Sequence, residues 1–169
     1  SGFSGNQIFK LNVYGCGSLS SGCIGNITAS HFANFTSKCL SDLAADAFSS
    51  ISSDQMSYLT LEGISNVATQ VWTFVNPLSC SALTADRIAQ VSYGCEQLQP
   101  ACIAYIRPES FVGVTEKCIG YLPTEVILTC TIDQLGYLTS AAIGRISAKT
   151  FIALIEQNKV AFVDLWNIN

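Results

Sequence analysis

A chain of 169 residues, 49% of them apolar, is long enough to bury one continuous core. Charged residues make up only 12%, the formal net charge is −4, and the eight Lys and Arg are scattered singly. That balance offers no footprint for nucleic acid or an anionic membrane, and no apolar run reaches the ~20 residues of a membrane span.

So little charge leaves the surface to Ser, Thr, Asn and Gln, and leaves solubility to attached glycans, a partner face or assembly. From the N-terminus, residues 8–14 alternate well enough to predict a strand carrying Ile8, Phe9, Leu11 and Val13. A glycine- and serine-rich loop with Cys16 and Cys23 follows. Two N-x-[ST] triplets begin at Asn26 and Asn34, the acceptor pattern for N-linked glycans in a secreted chain.

From Thr28 the sequence falls into blocks of eight: TASHFANF, TSKCLSDL, AADAFSSI, SSDQMSYL, TLEGISNV, ATQVWTFV, NPLSCSAL and TADRIAQV. The phase slips across residues 92–98 and resumes at Gln99 as QPACIAYI, RPESFVGV, TEKCIGYL, PTEVILTC, TIDQLGYL, TSAAIGRI and SAKTFIAL. All fifteen blocks have an apolar residue or Cys at the fifth and eighth positions, a fixed period that marks a repeat architecture. Two buried positions three apart share a face on a helix and lie on opposite faces of a strand, so the blocks read as helical.

Nine blocks open on a residue suited to capping: Thr28, Thr36, Ser52, Thr60, Thr84, Thr115, Thr131, Thr139 and Ser147. Seven carry a carboxylate at the third position, where the positive end of the helix dipole favours it: Asp46, Asp54, Glu62, Asp86, Glu109, Glu125 and Asp133. Ser52 with Gln55 and Thr131 with Gln134 complete capping boxes. Eight residues overshoot two helical turns by roughly 80°, so one straight helix would lose its apolar stripe. Pro77, Pro100, Pro108 and Pro123 sit at block starts, where proline opens a helix and bars continuation from before. The fold class expected is mainly α, a superhelical α-solenoid of short helices, with short β-strands at both termini. The second strand falls at 159–166, with Phe162 and Trp166 at even spacing. The domain organisation expected is one structural domain in three parts: 1–27, the octad array 28–154, and a tail 155–169.

The eight cysteines are Cys16, Cys23, Cys39, Cys80, Cys95, Cys102, Cys118 and Cys130, with no C-x-x-C pair and one histidine, His31, in the chain. Zinc ligation is therefore not expected, and an even count with sequons reads as an oxidised, extracellular chain. Short loops favour the pairs Cys16–Cys23 and Cys95–Cys102. No cofactor is implied. A hydrolytic triad lacks its parts, because the single imidazole sits at a variable block position and seven of twelve carboxylates share a capping position. The chain is read as not an enzyme. Tyr58, Tyr121 and Tyr137 recur at the seventh position, where partial packing on the core is the expectation; a row of them on one face, binding sugar or protein, is the alternative.

The run RPESFVGV-TEKCIGYL-PTEVILTC-TIDQLGYL resembles the repeats of the mesothelin, stereocilin and otoancorin family, in which Pro, Ser or Thr opens a short helical segment and apolar residues close it. The resemblance spans roughly 28–154. It implies an extracellular, glycosylated superhelix of armadillo type, concerned with adhesion or matrix attachment.

The function expected is a structural subunit that self-associates head to tail into an extracellular fibre or matrix. Its assembly interface is expected at Ile8, Phe9, Leu11, Val13, Phe162 and Trp166, because neither end reads as a polar cap. The alternative is a monomeric adhesion or ligand-binding module with an extracellular protein or glycan partner.

Overall fold

The structure, a computed structural model, describes residues 16–157. The two terminal strands, and the assembly residues assigned to them, lie outside the described residues. Within them the chain is mainly helical and contains no strand: twelve short α-helices and five 3-10 helices follow one another from Ser21–Gly25 to Ala148–Glu156.

Each helix begins where its block begins. Thr36, Ser52, Thr60, Thr115, Thr131, Thr139 and Ser147 each accept a hydrogen bond from the backbone N–H three residues on. That satisfies one of the donors a helix start leaves open. Thr28 and Thr84 open their blocks without a side-chain cap. Both capping boxes are formed, and the seven third-position carboxylates all lie in a first turn. Except at Val91–Ser92, extended residues at the block boundary stop each helix and turn the chain, as at Leu59 and Thr60 (ψ 138° and 158°).

The regular pattern starts one block before Thr28. Ser20 caps the helix Ser21–Gly25 through the N–H of Cys23, and Ile24 and Ile27 fill its fifth and eighth positions, both buried. The segment read from sequence as a disulfide loop is thus the first octad of the array.

Apart from Ala85–Val91 and Ser92–Gln97, which join directly, every closely packed pair of helical segments consists of third neighbours in the chain. Ser21–Gly25 packs on Ala45–Ser49, that on Thr69–Phe74, then on Ser92–Gln97, Glu116–Tyr121 and Ser140–Ile143. This is the first of three stacks. The second holds Ala29–Asn34, Ser53–Tyr58, Pro77–Ala82, Pro100–Tyr105 and Thr124–Ile127, and a Thr124–Thr150 hydroxyl contact of 2.8 Å continues it to Ala148–Glu156. The third holds Ser37–Ser41, Leu61–Ser65, Ala85–Val91, Pro108–Gly113 and Ile132–Gly136. Three successive blocks therefore make one tier.

A single apolar cluster runs between the stacks and is filled by the fifth and eighth positions, with Phe48 and Trp72 edge to face at 5.3 Å across two tiers.

The phase slip is real, but it does not divide the array. Helix Ala85–Val91 runs straight into Ser92–Gln97, and Ser92 takes φ 50°, the one positive value at a non-glycine among the described residues. The missing residue is absorbed there, at the cost of a backbone conformation that favours glycine. Third-neighbour packing continues unbroken on both sides.

Candidate functional site: the ends of the helical stacks

The fourth position of the block, which hydropathy does not single out, proves to be the contact between tiers. All five buried polar residues among the described residues, Gln55, Ser79, Ser110, Gln134 and Thr150, occupy it. Gln55 donates through Nε2 to the carbonyls of Ile24 and Ile27 (2.9 and 2.8 Å) one tier before, while its Oε1 accepts from its own cap N–H (2.8 Å). Gln134 repeats this with Ile103 and Ile106 (2.9 and 2.8 Å). Ser79 donates to the Ile51 carbonyl, and Arg87 to those of Ser57 and Leu59. Burial lowers the pKa of the Arg87 guanidinium, which with so high a reference value stays charged.

The bridges use the same position. Cys16–Cys39, Cys80–Cys102 and Cys95–Cys118 join residues 23, 22 and 23 apart with Cα atoms 4.8, 5.4 and 5.3 Å from each other. In Cys80–Cys102 and Cys95–Cys118 a fifth-position cysteine of one tier meets a fourth-position cysteine of the next, counting the short block from its end; in the third bridge the fourth-position Cys39 is joined to Cys16, which precedes the first block. The expected pairs Cys16–Cys23 and Cys95–Cys102 are therefore wrong: neighbouring blocks belong to different stacks, and stacked residues one tier apart meet. Cys23 and Cys130 are thiols, Cys23 half-buried and Cys130 buried, with Cys130 Sγ donating to the Val126 carbonyl at 3.8 Å. Glycine obeys the same rule. A Cβ on Gly63 would meet Leu40 at 2.6 Å, and one on Gly94 would meet the Trp72 ring at 2.3 Å.

Asn26 and Asn34 are both exposed in the first tier, and Asn26 Nδ2 donates to the Gly22 carbonyl at 2.7 Å. Tyr58, Tyr121 and Tyr137 are 48%, 42% and 50% exposed, partly exposed as their seventh position leads one to expect. They do not form a row. They lie in the second, first and third stacks respectively. The aromatic pair the fold does assemble is Tyr93 with Tyr121, centroids 5.5 Å apart, with Lys117 Nζ 3.6 Å over the Tyr93 ring. Beside it runs a shallow groove of about 360 Å³ lined by Glu116, Lys117, Gly120, Tyr121 and Arg145. Among the described residues, no group of three or more His, Cys, Asp or Glu is placed to hold a metal ion.

Fifth and eighth positions are buried in every block from Ser20 through Leu138. In the last tier this fails: Ile143, Ile146 and Phe151 are only partly buried, and Ile152 and Ile155 beside them are 57% and 45% exposed. At the other end, the fourth-position residues Cys23 and His31 are partly exposed, and the only later exception is Arg87. No helix among the described residues is long and apolar enough to cross a membrane. Comparisons with protein-family models, with curated proteins and with solved structures find no match.

Proposed function

We propose that the chain is an extracellular, disulfide-stabilised α-solenoid, N-glycosylated at Asn26 and Asn34, that acts as a structural subunit joining end to end into a fibre or matrix. The observation that carries this reading is the last tier, where Ile143, Ile146 and Phe151 occupy core positions yet keep part of their apolar surface in contact with solvent. A repeat array that is not closed by a polar cap exposes core to whatever stacks next, and head-to-tail contact without closure gives a filament. Three bridges within 16–118 fit an oxidising compartment, and two exposed sequons fit a glycan coat on a surface with little charge.

One observation favours a second reading, a monomeric adhesion or ligand-binding module: the Tyr93–Tyr121 pair and its groove offer aromatic faces and charged groups to an extracellular protein or glycan. The resemblance of residues 107–138 to the mesothelin-type repeats suits either role. Negative-stain electron microscopy of protein purified without reductant, with solution mass measured on the same sample, separates them. Filaments, with mass growing as concentration rises, are expected. A uniform monomer at every concentration would overturn the fibre and leave the binding module.

A further inference from the structure

Resting on the second reading, in which the groove on the first stack is a binding site, we infer that its ligand is an anionic saccharide, a sugar bearing carboxylate or sulfate groups. Three successive helices of that stack build the place: Tyr93 comes from Ser92–Gln97, Lys117 and Tyr121 from Glu116–Tyr121, and Arg145 follows Ser140–Ile143. Tyr93 and Tyr121 touch, yet they stay 51% and 42% exposed. Tyr93 carries the Lys117 ammonium 3.6 Å over its ring, and Tyr121 lines the groove.

Several features here run against the rules that build the rest of the array. Ser92, the residue with φ 50°, sits directly before Tyr93. Tyr93 and Lys117 both take the third position of their blocks, counting the short block from its end, where seven blocks place a carboxylate. A cation in a first turn is opposed by the helix dipole. Lys38, third in its own block, is balanced by Asp42 at 3.5 Å, whereas Lys117 makes no ion pair among the described residues. Local rules broken together at one place mark a site that serves something other than the fold.

The chemistry selects the ligand. An exposed tyrosine ring takes the C–H face of a sugar while its hydroxyl stays wet. Lys117 and Arg145 supply charge-assisted hydrogen bonds, and Arg145 is held to Glu116 through Nε alone, at 3.4 Å, which leaves the terminal nitrogens of its guanidinium for a carboxylate or sulfate. Because Glu116 is paired with Arg145, the uncompensated charge in the groove is that of Lys117, positive on a chain of net charge −4. A volume of about 360 Å³ is that of a small-ligand site and falls short of the surface a stable protein partner buries. Gly120 keeps the groove open: a Cβ there would meet nothing nearer than Arg145 Cβ at 4.0 Å.

That opening provides a clean test, because Gly120→Leu fills the groove without clashing and replaces a helical glycine by a better helix former. The whole chain, purified without reductant, is applied to an array of uronate-containing, sialylated and sulfated oligosaccharides beside neutral ones. Calorimetry then compares a bound oligosaccharide with the same compound after carboxyl reduction or desulfation, which shows which anion is read. Binding confined to the anionic compounds is expected, with affinity falling about tenfold when the anionic group is removed or in Lys117→Gln. Tyr121→Ala should cost about fivefold. Gly120→Leu should abolish binding with no fall in the urea midpoint, while Tyr58→Ala and Tyr137→Ala, on the other stacks, leave affinity unchanged. Equal binding of neutral sugars, or no saccharide bound at all, would overturn the ligand class. A neutral sugar or a polypeptide whose binding is lost in Gly120→Leu would leave the groove standing as a binding site, and an anionic saccharide held equally well by Gly120→Leu would overturn both.

Discussion

Among the described glycines Gly113 sits tightest against a neighbouring tier: a Cβ there would lie 1.9 Å from the carbonyl oxygen of Ala85 in the helix stacked on it. The obstacle is backbone, which cannot swing aside as a side chain can, so Gly113→Ala must push two tiers apart; overpacking of this kind costs about 3 kcal/mol. Gly136 closes the helix Ile132–Gly136 with nothing within 4 Å of its Cβ site. Gly136→Ala should therefore gain about 0.5 kcal/mol from lost unfolded-state freedom. Urea denaturation of the two variants checks the contrast, and equal effects would mean the tiers are not in backbone contact at Gly113. Sequence alone does not separate these glycines. Each sits near the end of its block, and what distinguishes them is which residue 24 or so positions away lies beneath them.

At the scale of elements, much was legible. Capping residues, first-turn carboxylates and the apolar fifth and eighth positions are local properties, dictated by free N–H groups and by helical geometry, and they fall where the octads put them. The fourth position was not legible from hydropathy, because its occupants share a role and not a chemistry: Gln55 bonds carbonyls, Ser79 fits beneath one, Gly63 makes room for Leu40, and Cys118 is bridged. Its signal was in the cysteines. Cys16 to Cys39, Cys80 to Cys102 and Cys95 to Cys118 repeat nearly one spacing, and that spacing is the tier; loop length points to the wrong partners because stacks, not neighbours along the chain, bring side chains together. Both kinds of staple predict measurable losses. Replacing Cys80 and Cys102 together by Ser should cost about 3 kcal/mol, through the freed loop of the unfolded chain. Gln55→Ala should cost about 2 kcal/mol, since it leaves the buried Ile27 carbonyl without its side-chain donor, takes one donor from the Ile24 carbonyl, which also accepts from the Ile27 N–H, and removes the acceptor of the Ser52 N–H. Urea midpoints measured on both variants decide this. A neutral Gln55→Ala would mean that the amide is not holding the first two tiers together.

For the whole molecule, the order of the tiers sets where stability is lowest. Stability in a stacked array is a sum of tier and interface terms, and the described bridges end at Cys118. Beyond it the tiers are tied by Gln134, by the Thr124–Thr150 contact and by the exposed Arg145–Glu116 pair at 3.4 Å. The exposed ion pair adds little. In the separated monomer, amides of Ser140–Ile143 and Ala148–Glu156 should therefore exchange with solvent faster than those of Ser53–Tyr58 or Pro100–Tyr105, which are covered on both sides. If the proposed end-to-end assembly holds, a second copy seated on the last tier changes that ordering. Completing the burial of Ile143, Ile146 and Phe151 contributes about 1 kcal/mol for each, so exchange in the last two helices should slow about 100-fold in the filament while the middle tiers change little. Hydrogen exchange read by mass spectrometry on monomer and filament compares the two states directly. Slowing that spreads evenly along the chain, or is absent from residues 140–156, would place the joint elsewhere than on the last tier.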